Sequence, residues 1–355
     1  NRFAESRLCD AEAAAALAWG ALGLDYPGDA LRESWQKALF NHFHDILPGS
    51  GVHDTRTYAH GLFQDAAAAC SMAETKALRL LAGRVDTSFA ETRGDADVPA
   101  GFVRSAVGAG AGFGSGTGRM SAAEQTKGHG PRPFVVFNTL AHERSGVVSV
   151  TVWDNAPAGV PHKIADAAFS VLTPSGKTLP AQKVGEGHYW GHDYVTLAFP
   201  IDPLPGFGYA AYVVEENETR TRNPLGRLGD RLVLENELIK AEIDIASGAI
   251  RRLVHKASRA NVITPARPAG LLEFGIERPH GMSAWRLDKL GKRTAPQVKS
   301  FRLAVNGPHL ARADFGLRIR RSEFTLQYEL RARDPNLYIT LEGTWFERGT
   351  PRKGV

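Results

Sequence analysis

The chain has 355 residues, with 43 lysines and arginines, 38 aspartates and glutamates, 12 histidines and two cysteines. A single hydrophobic core rarely spans this length, so two or three domains are expected. The small excess of scattered positive charge does not indicate nucleic-acid binding, and no run of about 18 apolar residues predicts a membrane-spanning helix. Cys9 and Cys70 both fall in helical patterns, so a framework of disulfide bonds is not expected. This favours a reducing compartment, the cytoplasm, as the location of the protein. The frequent alanine, glycine and arginine are compatible with a bacterial source.

Residues 1–91 predict a bundle of three helices. Apolar residues recur at spacings of three and four within 3–22, within a segment that follows the N-cap candidate Asp29, and again from about 54 to 80. Pro48 is expected to end the second helix, because the residue before a proline avoids the α conformation. Short connections make the three helices antiparallel neighbours.

Residues 92–130 predict a glycine-rich linker. Glycine occupies every second position from Gly108 to Gly118, among small and polar residues. A nucleotide-binding glycine loop is the alternative, but no G-x-G-x-x-G match occurs and no strand-then-helix pattern surrounds the segment.

From residue 131 onward the apolar period becomes two, as in 148–152, 239–245 and 324–330. Helical patterns do not interrupt these runs, which indicates antiparallel sheets rather than a doubly wound fold. A polar break near residue 218 divides a small β domain at 131–218 from the first part of a large β-sandwich domain at 219–355. The predicted fold class is therefore α+β multidomain, a three-helix bundle followed by antiparallel β-sandwich domains.

The segment from Asn41 to Ser50, N-H-F-H-D-I-L-P-G-S, is the most unusual in the chain. Two histidines and an aspartate fall in the predicted last turn of a helix, where the helix dipole favours a cation and imidazole is a good zinc ligand. However, His42 and His44 lie about 200° apart around a helix, so they cannot both chelate one ion from it. A histidine that only caps the helix is the alternative, and His53 and Asp54 lie too loosely downstream to decide.

The segment from Phe43 to Ser50 closely resembles the N-Q-F-H-D-I-L-P-G-[ST] motif of family 38 glycoside hydrolases, the α-mannosidases. Residues 2–12 resemble the R-x-x-E-x-x-L-x-x-A-E helix that opens the middle domain of that family. Residues 135–144 and 234–248 resemble two of its β segments, and 277–285 extends the likeness. His42 stands where many relatives have glutamine and Thr139 where they have proline. Neither change alters the histidine of the motif, His44.

The resemblance implies a retaining enzyme whose zinc ion, held by two aspartates and two histidines, binds the 2- and 3-hydroxyls of a mannose. It assigns one metal ligand to His44 and a substrate contact to Asp45. The other ligands and the aspartate nucleophile belong to an α/β domain expected before Asn1, and the last sandwich is expected to continue beyond Val355. We therefore expect no catalytic residue in these 355 residues, and neither tight zinc binding nor mannoside hydrolysis by this chain alone.

The implied partners are mannose-containing glycans or oligosaccharides, without nucleic acid or membrane, and the complete enzyme is open to homo-oligomerisation. Two other hypotheses stay open: a non-catalytic carbohydrate-binding or scaffolding β module, and a stand-alone metallohydrolase. The metallohydrolase would use His42, His44, Asp45, His53 and Asp54. Weaker candidates are the glycosylation sequon Asn217-Glu218-Thr219, the aromatic residues Tyr189, Trp190 and Trp285 for sugar stacking, the pair Glu277 and His280, and Cys70, which is expected to be buried.

Overall fold

The computed structural model describes residues 1–87, 89, 105–106, 124–125, 131–153, 164–189, 192–217, 223–263, 266–278, 280–281 and 286–347. The helices are α1 (Arg2–Leu22), α2 (Gly28–Phe40) and α3 (His53–Ala82). The strands are β1 (Ser105–Ala106), β2 (Glu124–Gln125), β3 (Arg132–Phe137), β4 (Arg144–Trp153), β5 (Ala168–Leu172), β6 (Thr178–Tyr189), β7 (His192–Leu204), β8 (Tyr209–Asn217), β9 (Gly226–Leu228), β10 (Leu232–Glu235), β11 (Ile239–Ile243), β12 (Ile250–His255), β13 (Ala260–Ile263), β14 (Phe274–Glu277), β15 (Leu290–Thr294), β16 (Gln297–Asn306), β17 (Leu310–Ile319), β18 (Ser322–Arg331) and β19 (Leu337–Thr344). The predicted α+β class, helices first and antiparallel sheets after them, is confirmed.

The three helices pack through the residues that their spacing predicts. The bundle core consists of Ala4, Leu8, Ala11 and Ala15 of α1, Leu31 and Ala38 of α2, and Cys70 of α3. A buried ion pair also joins two helices, with 3.3 Å between Arg7 Nη1 of α1 and Glu74 Oε2 of α3. Removing one partner of such a pair would leave a buried charge uncompensated, so the pair fixes how α1 and α3 face each other. None of the helices within the described ranges combines the length and hydrophobicity that a bilayer crossing requires.

Helix α2 ends at Phe40, well before the end predicted at Pro48. The amides of His42 and Phe43 donate to carbonyls three positions before them, at 3.0 and 3.1 Å, so the i to i−4 pattern of an α-helix does not continue. The carbonyl of Asn41 accepts a 2.7 Å hydrogen bond from the Asn1 side chain. The expectation that the two histidines share the last turn of a helix is therefore wrong. They follow the helix in a series of turns.

The predicted linker at 92–130 lies almost entirely outside the described residues. Within it the structure describes only β1 and β2, which pair antiparallel with Ser105 opposite Gln125.

Strands β3 to β8 form one antiparallel sheet in the order β3-β8-β5-β6-β7-β4. One face of these strands is apolar and packs into a single core, which confirms the period of two in the sequence. The fully buried members of this core are Val152, Ile164, Val171, Val195, Leu197, Phe199, Tyr212 and Val214. The helical bundle is tied to this region by a 2.6 Å hydrogen bond that Thr139 Oγ1 donates to Asp10 Oδ1.

The remaining strands form a five-stranded sheet, β13-β12-β11-β10-β9, a four-stranded sheet, β16-β17-β18-β19, and the β14-β15 hairpin. The two larger sheets share one apolar core, so they form a sandwich. Tyr328 lies at its centre, where its hydroxyl donates a 2.6 Å hydrogen bond to the carbonyl of Gly248 and burial raises its pKa to about 12. The phenol is therefore neutral and permanently available as a donor.

A buried polar joint connects the sheet of β3–β8 to the sandwich. The Gln182 side chain of β6 donates to the Leu310 carbonyl at 2.7 Å and accepts from the amides of His309 and Leu310 at 2.8 and 2.9 Å. The His309 imidazole lies 2.7 Å from the carbonyl of Pro180. The Leu310 carbonyl also accepts from the Gly307 amide at 3.1 Å, whereas the amides of His309 and Leu310 would be left unsatisfied without Gln182. We call Gln182, Pro180, His309 and Leu310 the inter-sheet joint.

Replacing Gln182 with alanine should lower the free energy of unfolding by about 2–4 kcal/mol, because the buried amides of His309 and Leu310 lose their acceptor. Urea unfolding followed by circular dichroism measures the change. The matched control is Gln297→Ala, at an exposed glutamine of β16, which should shift stability by less than about 0.5 kcal/mol. Equal effects of the two variants would show that the joint does not stabilise the fold.

Burial lowers the pKa of the His309 imidazole, an effect that the nearby positive charge of Arg333 reinforces and the hydrogen bond to Pro180 partly opposes. The unfolded chain therefore binds the proton more readily than the folded chain, so stability falls as the pH drops below about 6.5. His309→Gln should reduce this fall between about pH 6.5 and 5, measured as the change in Tm with pH. His60→Gln, at an exposed histidine, should leave it unchanged.

Candidate functional site

The segment 41–50, which we call the His44 turn, connects α2 to the start of α3. Its backbone is held by hydrogen bonds from the Ile46 amide to the Phe43 carbonyl at 2.9 Å and from the Gly49 amide to the Ile46 carbonyl at 3.0 Å. Gly49 has φ +79°, a left-handed conformation that glycine adopts without a steric penalty. The Ser50 hydroxyl donates to the Asp45 carbonyl at 3.2 Å, which closes the turn.

Asn41 anchors the His44 turn to the bundle. Its side chain is only 4% exposed, and its Nδ2 donates a 2.9 Å hydrogen bond to the carbonyl of Ala59 in α3. Its own carbonyl accepts from Asn1, as described above. Sequence reasoning missed this residue, because its role depends on two groups that are 18 and 40 positions away.

His44 and Asp45 lie side by side on the outside of this turn. The His44 side chain is 77% exposed and that of Asp45 is 42% exposed, with 3.6 Å between Nε2 and Oδ2. The imidazole packs against the Phe43 ring, at 4.2 Å between ring centroids. Because the imidazole and the neighbouring carboxylate are exposed, they can contact a bound molecule, or share a metal ion with side chains from elsewhere, without rearrangement of the bundle.

The other predicted metal ligands are not brought to this pair. His42 turns toward α1, where its Nε2 lies 3.6 Å from Glu5 Oε1, and His53 lies 3.4 Å from its neighbour Asp54. In the part of the chain that the structure describes, no three His, Cys, Asp or Glu side chains are grouped so that they could hold a metal ion. The five residues of the metallohydrolase hypothesis therefore do not form a metal site.

Exposed apolar side chains flank the His44 turn. Each of six is at least half exposed: Leu39, Phe40, Phe43, Leu47, Val52 and Tyr58. We call them the apolar surface. Within it the rings of Phe40 and Tyr58 lie 5.7 Å apart between centroids, and Phe43 packs on His44. Exposed apolar areas typically mark places where another protein surface packs.

The structure describes only some of the weaker candidate residues that the sequence offers. His280 Nε2 lies 2.6 Å from Glu277 Oε1, and the amide of Asp288 and this histidine hold the pKa of the Glu277 carboxyl below its ordinary value. Cys70 is buried as expected, and burial raises the pKa of its thiol to about 11, so it is an apolar core group at neutral pH. Trp190, Trp285 and positions 218 and 219 of the sequon lie outside the described residues, as does the side chain of Tyr189.

Residues 1–81 match the family model of the alpha mannosidase middle domain, and they include the whole His44 turn. No curated protein matches the chain. Among solved structures, an alpha-mannosidase from Enterococcus faecalis V583 has the same fold, with a TM-score of 0.65 and 17% sequence identity over 95% of this chain. The chain spans 40% of the length of that protein. The resemblance to family 38 α-mannosidases that the sequence motifs indicate is thus confirmed.

Replacing Asn41 with alanine should lower the free energy of unfolding by about 1–2 kcal/mol, because the buried hydrogen bond that joins the turn to the Ala59 carbonyl of α3 is lost. Amide hydrogen exchange should also become faster in residues 42–51, which lose their anchor. Gln36→Ala, at an exposed position of α2, is the control and should change neither quantity. Unchanged exchange in the Asn41 variant would mean that the turn holds its shape without this side chain.

Proposed function

We propose that this chain contributes His44 and Asp45 to the active site of a retaining, zinc-dependent α-mannosidase that hydrolyses terminal α-mannosides in glycans or oligosaccharides. The carrying observation is the match of residues 1–81 to the alpha mannosidase middle domain, together with a turn inside that match that exposes both side chains. The division of the chain into a bundle at 1–91, a linker at 92–130, a small β domain at 131–218 and the first part of a large sandwich at 219–355 belongs to the same proposal.

The chemistry of the two side chains fits a shared zinc site. Imidazole is a common zinc ligand, and the His44 ring is exposed on a fixed turn rather than buried in the bundle. A zinc site needs three or four ligands, and the described residues offer no such group, so the remaining ligands would come from outside the described part of the chain. When bound, zinc would supply a template that orients sugar hydroxyls.

Asp45 would act as an acceptor for substrate hydroxyls. Its carboxylate is partly exposed and lies next to His44, so a sugar held at the imidazole side of the turn is within its reach. Hydrogen bonds to an ionised acceptor are stronger than neutral ones, which suits a group that positions a sugar ring. The nucleophile and the acid that protonates the leaving oxygen in a retaining mechanism are two further carboxyl groups, which we place in another part of the protein.

The apolar surface supports the proposal that the active site is shared between this part of the protein and another. Its six side chains are at least half exposed, and Phe43 among them packs on His44, so their burial against a further domain would bring that domain to His44. We also propose a cytoplasmic location, which the free thiols of Cys9 and Cys70 support. The frequent alanine, glycine and arginine support a bacterial source, which we propose as well.

The 355-residue chain should not hydrolyse an aryl α-mannoside and should lose added zinc on dialysis, because His44 and Asp45 alone provide neither a full ligand set nor a nucleophile. A chromogenic assay and metal analysis of the dialysed chain measure the two properties. Zinc-dependent turnover by this chain would contradict the proposed division of the active site.

In the protein encoded by the complete reading frame, His44→Ala should reduce bound zinc and lower kcat/KM for the aryl α-mannoside by about 100-fold or more. His53→Ala is the matched control, since this histidine is 84% exposed in the same region and has no proposed role. Asp45→Asn should retain zinc but lower kcat/KM, because the neutral amide accepts weaker hydrogen bonds. Full activity and full zinc content in the His44 variant would overturn the proposal.

A further inference from the structure

A cleft of about 540 Å³ lies between the sheet of β3–β8 and the sandwich. Strands β4, β6 and β7 line one wall, and β17 and β18 line the other. Its volume is in the range of pockets that hold small molecules. It opens beside the inter-sheet joint, since Leu310 belongs both to the joint and to the lining.

Strand alternation explains the chemistry of the first wall. In β7, Val195 and Leu197 are fully buried in the core, so Tyr194 and Thr196 lie on the opposite face, toward the cleft. Glu186 of β6 joins them, since it also lines this wall. The wall therefore carries an aromatic ring, a hydroxyl and a carboxylate on rigid strands.

The second wall follows the same rule. Ala311 and Leu330 are fully buried in the core of the sandwich, so their neighbours Arg312, Glu329 and Arg331 face the cleft. Arg312 and Glu329 are directly opposite each other in the register of β17 and β18. Three long polar side chains thus lie close together on this wall.

The charges in the cleft are already balanced by the protein. Arg331 Nη2 lies 2.7 Å from Glu329 Oε1, and Glu186 Oε2 lies 2.9 Å from Lys183 Nζ outside the lining. Arg312 Nε lies 4.0 Å from Asp314 Oδ1, beyond hydrogen-bond distance, and has no hydrogen-bond partner among the described residues. Two lining arginines against two lining glutamates leave no excess charge, so neither an anion nor a cation would find a complementary field there.

We propose that this cleft binds a neutral oligosaccharide, at a site separate from the His44 turn. Planar guanidinium and carboxylate groups held on strands offer paired donors and acceptors that match adjacent sugar hydroxyls. The Tyr194 ring offers a flat apolar face for the C–H side of a sugar. A predominantly apolar ligand would shield from water the polar atoms that remain outside these ion pairs, and a charged ligand would compete with the pairs Glu329–Arg331 and Glu186–Lys183. The site goes beyond the proposed hydrolytic function and does not require it.

The test is a calorimetric titration of the full 355-residue chain with α-linked mannotriose, maltotriose and cellotriose, in the presence of a metal chelator. At least one trisaccharide should bind, and Tyr194→Ala and Arg312→Ala should each weaken that binding by about tenfold or more. Tyr209→Ala, at a 55% exposed tyrosine of β8, is the matched control and should bind as the parent chain does. Circular dichroism establishes that each variant is folded, and Tyr194→Phe, which keeps the ring, should retain most of the affinity.

Binding that persists in His44→Ala supports the cleft and separates it from the proposed active site. Binding lost in His44→Ala, no binding of any of the three sugars, or binding unaffected by both cleft variants would each overturn the proposal. The titration measures binding and does not depend on hydrolysis of the sugar. Failure of the α-mannosidase proposal would therefore appear in the activity assay, and failure of the cleft in the titration.

Discussion

The buried amide of Gln182, together with the contact between His309 and Pro180, joins the two β units of this protein. It satisfies two amides and one carbonyl at the start of β17, in a place where unpaired backbone groups would be costly. Because hydrogen bonds are directional, this contact fixes orientation in a way that apolar packing alone does not. The cleft between the two units lies beside this joint, and Leu310 belongs to both.

The His44 turn follows a similar design at the other end of the chain. Buried polar contacts of Asn41 anchor the backbone, while His44 and Asp45, for which we propose a role, stay exposed on it. A rigid support with exposed functional groups is what a site shared between domains requires, since each domain must present its ligands in place before they meet. The apolar surface around the turn provides the area through which such a meeting would be stabilised.

Much of the fold could be predicted from periodicity, because burial of one face imposes it. The alanines of α1 and the alternating valines of β4 lie in the cores where their spacing places them. The end of α2 could not be predicted in this way. Pro48 sets only the latest point at which the helix can end, whereas the amides of His42 and Phe43 already bond to carbonyls three positions before them. A sequence motif identified His44 and Asp45 as candidates. Only the structure shows that both side chains are exposed and that their Nε2 and Oδ2 atoms lie 3.6 Å apart.

The sequence by itself determined the order of helices and strands, the apolar face of each, and the likeness to α-mannosidases, because these depend on local spacing and on short motifs. Only the tertiary structure decided which polar residues meet. It paired Gln182 with Leu310, turned His42 toward Glu5 and away from the exposed His44, and set polar faces of two sheets across one cleft. Such contacts join positions far apart in the chain, and their energy depends on burial and geometry that local sequence does not encode.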